Sequence, residues 1–395
     1  MKVMFINSVI DYGSTGKIVR DLAEGLKADG HQVLIVYGRN KPLNDDDTFS
    51  ISNKRGFYYH VIMTRLLDRH GLHSKKATKK LINKIKDFKP NVIHLHNLHG
   101  YYLNYPMLMN FLKQQKDIKI VWTLHDLWAV CGSVAHFSYY GCKEWRDGCV
   151  IANNPRVYPQ SNFILREKQN FYLKKEVFSG FNDLTIITVS DWEKNIIKQT
   201  FLKQYKIIRI YNGLDFDHYQ KARFNKKTPK TLFGTASDWN NEKNLIDYIK
   251  LADIMPKNYQ MTLTGLSDEM IRILPNNIKG LPRLDSEKEL IKLYAKSSIF
   301  LNLSLQETMG MTTIEALASG TPVVVYDKTA VPEVIDATVG KVVEAKNINA
   351  LLKAVIEVEA RKIDPETCYE FAKKRYNKTQ MITYYKNVYF ERSKR

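Results

Sequence analysis

Glu307 and Glu315 are separated by seven residues in Gln306-Glu307-Thr308-Met309-Gly310-Met311-Thr312-Thr313-Ile314-Glu315-Ala316. The apolar run Ile299–Leu303 ahead of them reads as a strand. Gly310 and a pair of threonines open a helix, which Gly320 and Pro322 close. Glu307 is therefore expected in the loop at a strand's carboxyl end, with Glu315 about one turn into the helix. Between them, the helix start offers unpaired N–H groups to an anion. A carboxylate on each side of an anion site suits sugar hydroxyls: Glu315 could hold a ribose diol and Glu307 a hexose. A surface loop with a capping glutamate is the plainer alternative. In Gly234-Thr235-Ala236-Ser237-Asp238-Trp239-Asn240-Asn241-Glu242-Lys243-Asn244, a second post-strand loop ends in Lys243 at a helix start. A cation there can neutralise a leaving diphosphate. Asp238 would repel that phosphate and is expected to turn outward.

Gly13, Ser14, Thr15 and Gly16 follow the first strand and open a helix, where backbone can approach phosphate or sugar. Any strand–helix turn favours glycine, so the spacing alone is weak. Trp122-Thr123-Leu124-His125-Asp126 places a polar pair, His125 and Asp126, at another strand's carboxyl end. His94, His96 and His99 suggest hydrogen bonds or substrate contacts in preference to a metal. Cys131, His136, Cys142 and Cys149 fall within nineteen residues, but their spacing lacks the close pairs of structural zinc sites. Reduced structural cysteines are the preferred reading, with zinc and a local disulfide as alternatives. Asp45-Asp46-Asp47 follows Pro42-Leu43-Asn44, so it reads as a solvated loop and not as a metal-binding strand end.

These residues need strands to present them. Val3–Ile6, Val33–Val36, Val92–Leu95, Ile120–Thr123 and Leu184–Val189 read as buried strands, with helices at Asp21–Ala28, Lys79–Phe88 and Leu108–Gln114. A second series runs Thr231–Gly234, Gln260–Leu263, Ile278–Leu281, Ile299–Leu303 and Val323–Val325, with helices at Lys243–Ile254, Glu287–Ala295 and Thr312–Ala318. Such alternation implies parallel sheets with helices on both faces. The fold class is α/β, with two doubly wound halves and a turn between them at Ile210–Asp215. Ligands in such folds bind where strands end.

The chain of 395 residues carries 60 Lys and Arg against 41 Asp and Glu, a formal charge of +19. Residues 51–90 hold eleven of those cations and two acids. Within 73–90, Ala77, Leu81, Ile82 and Ile85 recur at helical spacing while lysines fill the rest. That helix is either a solvated face packed on a sheet or a surface that rests on an anionic membrane. No zinc-finger spacing or aromatic RNA motif accompanies the charge, so nucleic acid is not the expected partner. No signal peptide or run of about 18 apolar residues is apparent, so the expectation is a cytoplasmic chain, peripheral on the inner face of the cell membrane.

The glutamate pair, with Glu315-Ala316 and Gly320-Thr321-Pro322, resembles the fingerprint of the retaining GT-B glycosyltransferases of family 4, the group 1 type. Asn212-Gly213 with Asp215 is similar to their linker, Ser190-Asp191-Trp192 to the motif before it, and Asp285–Ser298 to the stretch ahead of the donor loop. The resemblance covers nearly the whole chain. It departs at Met309, where phenylalanine is usual, and at Asp238 and Asn244, where arginine and glycine are usual.

The resemblance implies two Rossmann-like domains facing across a cleft. Residues 1–208 would bind acceptor, 209–373 the nucleotide sugar, and 374–395 would pack back on the first domain through Tyr384, Tyr385, Val388 and Tyr389. Glu315 would bind the nucleotide ribose, and Glu307 would lie near the donor sugar. Amides of Gly310, Met311 and Thr312 would contact sugar and diphosphate, and Lys243 would hold phosphate. The loop Gly13–Gly16 would lie over the diphosphate, and His125 would sit near donor sugar and acceptor. The implied reaction moves a sugar from a nucleotide-diphosphate donor, UDP-sugar favoured over GDP-sugar, with retention. The implied acceptor is a lipid-linked saccharide in bacterial cell-surface polysaccharide assembly. Neither cofactor nor divalent metal is expected. A GT-B sugar-nucleotide epimerase, a nucleic-acid-directed glucosyltransferase and a basic binding module are the alternatives.

Overall fold

Strand β1 (Lys2–Val9) shows how the core is built. Met4 and Ile6 point to one face of the sheet and Val3 and Phe5 to the other, because side chains alternate along a strand. Both faces are buried, as the unbroken apolar run requires. A computed structural model describes residues 1–40, 42, 46–51, 53–139, 158–159, 161–220, 228–284 and 286–391. The chain forms two compact units, Met1–Tyr211 with Met381–Arg395, and Asn212–Gln380. The sequence-based boundaries at 208 and 373 differ by a few residues. The sheet of the first unit runs to Arg209, and the helix ending at Tyr376 belongs to the second.

In the first unit, β1 is followed by helix α1 (Gly13–Ala28), β2 (Gln32–Arg39), β3 (Thr48–Ser50), α2 (Lys54–Leu67) and α3 (Lys75–Phe88). Then come β4 (Val92–Leu95), α4 (Tyr105–Lys113), β5 (Lys119–Leu124), α5 (Glu167–Phe178), β6 (Leu184–Thr188), α6 (Asp191–Ile197) and β7 (Lys206–Arg209). The seven strands pair in parallel in the order β3-β2-β1-β4-β5-β6-β7. One face packs Leu81, Ile85, Leu108, Leu112 and Phe178, and the other packs Ile18, Leu22 and Leu26 of α1.

The second unit holds β8 (Thr228–Thr235), α7 (Leu245–Ile254), β9 (Gln260–Thr264), α8 (Asp268–Arg272), β10 (Ile278–Leu281), α9 (Glu287–Lys296) and β11 (Ser297–Asn302). These lead to α10 (Met311–Ala318), β12 (Val323–Tyr326), β13 (Gly340–Val343), α11 (Ile348–Arg361) and α12 (Pro365–Tyr376). Its six strands are parallel in the order β10-β9-β8-β11-β12-β13. Two parallel sheets with covering helices, each wound outward from a central strand, make two Rossmann-like domains. From Met381 onward, α13 (Lys378–Phe390) joins the first unit. There Met381, Tyr385, Val388 and Tyr389 enter the core behind β1, while Tyr384 stays exposed.

Several local differences from the sequence reading have plain causes. Helix α4 begins at Tyr105, before Leu108, because Asn104 accepts from the N–H of Met107 at 2.9 Å and Pro106 fits the first turn. In α3 the buried residues are Thr78, Leu81, Ile82 and Ile85, so Thr78 takes the core position expected of Ala77. The Thr78 hydroxyl accepts from the N–H of Asn104 at 2.7 Å, which satisfies it inside. The sequence patterns did not single out α2 or α5.

Candidate functional site

The second unit gathers the glutamates and the lysine. After β11, Gly310 sits at the start of α10 with φ of +88°, a conformation cheap only for glycine. Asn302 anchors the loop by donating from Nδ2 to Thr313 Oγ1 at 2.9 Å, while its Oδ1 accepts from the N–H of Ser304 at 3.1 Å. The N–H of Glu307 donates to Thr329 Oγ1 at 2.9 Å. Opposite, Asn240 Oδ1 accepts from the N–H groups of Glu242 and Lys243 at 3.1 and 3.2 Å, forming the turn that carries the lysine. The N–H of Leu305 donates to the Glu242 carbonyl at 2.7 Å and ties the two loops together. Lys243 Nζ then forms an ion pair with Glu307 Oε1. Their side chains are 24% and 17% exposed, so the pair is reachable from solvent but not fully screened by it.

Glu315 projects from the first turns of α10, and its Oε2 accepts from the Tyr294 hydroxyl at 3.0 Å. Tyr294 is fully buried. Burial first, then the neighbouring Glu315 charge, pushes its hydroxyl well above the usual range, so it remains a donor. Burial and Glu315 act on Tyr219 in the same way. The residues that open α10, Met311 and Thr312, are half-buried, and their N–H groups lie outside the helical ladder by construction. Lys243, Glu307, Gly310, Met311, Thr312 and Glu315 therefore share one region of one unit.

The three departures from the expected pattern also find physical explanations. Asn244 adopts φ of +59°, which asparagine tolerates. Its amide donates to Asp247 Oδ2 at 2.8 Å and to the Leu303 carbonyl at 3.2 Å, bonds that glycine could not make. The Met309 sulfur accepts from the N–H of Asn212 at 3.2 Å. Asp238 is exposed.

Gly13–Gly16 and His125 belong to the first unit. Gly13, Ser14, Thr15 and Gly16 form the first turn of α1, with Gly13 and Ser14 exposed. A Cβ on Gly16 would lie 3.0 Å from the Asp11 nitrogen, so this turn must be close-packed. Asp11, at φ of +51°, is held by both arms of Arg20 at 2.8 and 2.7 Å. His125 follows β5, with its Nε2 2.9 Å from His96 Nδ1 and the rings stacked at 5.2 Å. Burial lowers His125 to about 4, so it is neutral at pH 7. Beside it, His99 Nε2 pairs with Asp126 Oδ2 at 2.8 Å. Burial would raise the Asp126 carboxyl, but the charge and hydrogen bond of His99 outweigh it and hold Asp126 below the usual range. His94 is structural: fully buried, it pairs with Thr123 Oγ1 at 2.8 Å and with the Tyr389 hydroxyl at 2.7 Å.

Cys131 is buried and unbridged, and burial raises its thiol. His136 is half-buried, while Cys142 and Cys149 lie outside the described residues. Among the described residues, no group of three or more His, Cys, Asp or Glu is arranged to hold a metal ion.

The family model described as "Glycosyltransferase Family 4" matches residues 15–218, and "Glycosyl transferases group 1" matches residues 217–375. The chain belongs to the group 1 glycosyltransferases. This glycosyltransferase is 24% identical to the putative colanic acid biosynthesis glycosyl transferase WcaC of Escherichia coli K12, over 76% of each chain. Among solved structures it is similar to sucrose-phosphate synthase from Thermosynechococcus elongatus, with TM-score 0.72, 17% identity and 98% of each chain covered. It is also similar to Anabaena HepE in complex with UDP-glucose, with TM-score 0.65, 14% identity and 98% and 99% of the two chains covered. These likenesses establish the GT-B fold.

Sequence reasoning missed the groups that orient the candidate residues of the glycosyltransferase. Tyr294, Thr329 and Asn302 come from separate elements, and no local motif marks them. It also missed Lys174, which is buried and donates to the carbonyls of Trp128, Cys131 and Gly132 at 2.8, 2.7 and 3.0 Å. Its place in α5, a helix with no clear amphipathic period, gave no signal.

Proposed function

We propose that this glycosyltransferase moves a sugar from a UDP-sugar to a hydroxyl of a lipid-linked saccharide, with retention, during assembly of a cell-surface polysaccharide. The observation that carries this reading is the grouping of Lys243, Glu307, the α10 N-terminus and Glu315. In this proposal Glu315 accepts hydrogen bonds from the ribose diol, with Tyr294 holding its orientation. The N–H groups of Gly310, Met311 and Thr312 face the donor sugar and diphosphate, and Glu307 lies beside the sugar. Lys243 exchanges its partner Glu307 for the diphosphate as charge grows there. The bond from the anomeric carbon to the phosphate oxygen breaks, and the acceptor oxygen bonds the same face. The acceptor proton passes to the leaving phosphate oxygen. Lys243 and the helix N-terminus can carry the phosphate charge without a divalent metal.

In the first unit, the turn Gly13–Gly16 offers N–H groups suited to a diphosphate. His125, kept neutral, offers a hydrogen bond without charge to sugar or acceptor hydroxyls. Relatives support the donor and pathway class: HepE was captured with UDP-glucose, and WcaC is named for colanic acid. The lipid-linked acceptor and an anionic membrane surface are proposed from the basic α3, where Lys75, Lys76, Lys79 and Lys86 are exposed. Some of its lysines also have partners in the fold: Lys80 donates to the Ser50 carbonyl at 2.8 Å, Lys84 lies over the Phe49 ring and Lys86 over the Phe111 ring. Among the described residues, no helix is long and apolar enough to cross a membrane. The test is a screen of UDP- and GDP-sugars, with and without lipid-linked saccharides, read as nucleotide release and product anomeric configuration. UDP release that requires acceptor and yields a retained linkage is expected. Acceptor-independent interconversion of the donor, or an inverted linkage, overturns the proposal.

A further inference from the structure

Helix α2 has its polar side inward and its apolar side outward. Its buried residues are His60 and Thr64, and Asp68 just beyond its end is buried too. Each of the three has hydrogen-bond partners inside, although Asp68 Oδ1 accepts none. His60 Nδ1 pairs with Ser74 Oγ at 2.8 Å, and His60 Nε2 accepts from the N–H of Gly71 at 2.9 Å. Thr64 donates to the His60 carbonyl at 2.9 Å, and Asp68 accepts from Ser133 Oγ and the N–H of Arg166 at 2.8 and 2.7 Å. On the outer face, Tyr58, Ile62 and Leu66 recur four residues apart and are 63%, 53% and 41% exposed. The N–H of Asn162 donates to the Arg65 carbonyl at 2.8 Å and pins a second apolar segment to the end of this stripe. In that segment Phe163 and Leu165 are 76% and 54% exposed.

Such a ridge is unusual on a surface that meets only water. Its border is cationic. Lys54, Arg55 and Arg65 stand along α2, Arg69 follows its end, and Lys75 and Lys76 open α3, all of them exposed. A groove of about 890 Å³ beside the ridge is lined by Lys54, Arg55, Tyr59, His73, Lys75 and Lys76. Between residues 51 and 90 the two acids are Asp68, which is buried, and Asp87, at the far end of α3. Apolar side chains ringed by lysine and arginine match the interfacial layer of an anionic bilayer, where rings and aliphatic groups enter beneath phosphates. Nucleic acid would match the cations but leave the ridge in water.

We infer that α2 and the 161–165 segment insert into an anionic membrane surface, Tyr58, Ile62, Leu66, Phe163 and Leu165 entering the interface while the border cations contact lipid phosphates. This rests on the membrane reading proposed above and adds to it a hydrophobic component, carried by α2 in place of α3. The experiment is sedimentation of the full chain with phosphatidylglycerol–phosphatidylcholine vesicles at 0.1 and 0.5 M salt. It compares wild type, Ile62→Ser/Leu66→Ser, Phe163→Ser/Leu165→Ser and Lys75→Glu/Lys76→Glu. Losing two inserted side chains should lower partitioning at least tenfold at both salts, whereas the charge variant should lose binding mainly at low salt. Phe163→Trp should gain quenching by brominated lipids over the wild-type background. If wild type binds but both serine variants bind equally well, insertion is overturned and the purely electrostatic membrane reading stands. If wild type does not bind at all, both fail. A wild-type dimer in solution that the serine variants dissociate, without vesicle binding, assigns the ridge to a second copy and overturns the inference.

Discussion

Replacing Lys243 by alanine removes the cation paired with Glu307. If Lys243 serves the leaving diphosphate, the variant loses one charge-assisted contact, worth about 1.5–3 kcal/mol. At about 1.4 kcal/mol per tenfold, that is roughly a 10- to 150-fold fall in kcat. A second effect follows from the geometry. Glu307, only 17% exposed, is left without this partner and places an unneutralised carboxylate near the donor phosphates. Lys243→Ala/Glu307→Gln removes that repulsion but also any contact of Glu307 with the sugar. The two substitutions should therefore be non-additive, the double variant losing less than the product of the single losses. Lys243→Arg keeps the charge and should retain most of the turnover. Because the phosphate charge grows in the transition state, kcat should fall more than KM for the donor rises. The assay is nucleotide release against donor concentration at saturating acceptor. A kcat within threefold of wild type, or a loss confined to KM, refutes the assignment.

Glu315→Ala should weaken donor binding by about 1–3 kcal/mol. Tyr294→Phe, which removes the 3.0 Å hydrogen bond to Glu315, should weaken it less; calorimetry with UDP checks both, and unchanged affinity in Glu315→Ala refutes the ribose role. EDTA should leave turnover unchanged, and full loss restored by Mn²⁺ overturns the metal-free reading. Acid should destabilise the first unit. Burial lowers His60 to about 3 and His125 to about 4, from 6.5 when unfolded. The unfolded chain therefore binds more protons below about pH 6.5, and stability falls as pH drops from there toward 3–4. Each of these two residues withdraws about 2 kcal/mol by pH 5, at about 1.4 kcal/mol per unit. The His60 ring accepts from the N–H of Gly71, so protonation there breaks the bond as well. A thermal midpoint that does not fall between pH 7 and pH 5 contradicts this.

Features that depend on near neighbours were legible before any coordinates. Each buried β-strand is a contiguous apolar run, so the two doubly wound halves and the parallel sheets followed from periodicity. The glutamate pair was legible because strand, glycine turn and helix occupy consecutive residues, which sets both carboxylates about one helix start without help from distant chain. The motif could not say what holds those two residues. Tyr294 donates to the Glu315 carboxylate from α9, and Thr329, in the loop after β12, accepts from the main-chain N–H of Glu307, contacts 21 and 22 residues apart in sequence. Tertiary structure also decided which side of α2 faces inward. A two-faced pattern gives two faces but does not order them. Here hydrogen bonds of His60 with Ser74 and Gly71, and of Asp68 with Ser133 and Arg166, stabilise a polar interior face, and the apolar side is left outside. Sequence determined the elements and the local chemistry because those depend on period and turn residues. Only the packed chain decided which groups orient the site and which face remains exposed, because both depend on partners that no local window contains.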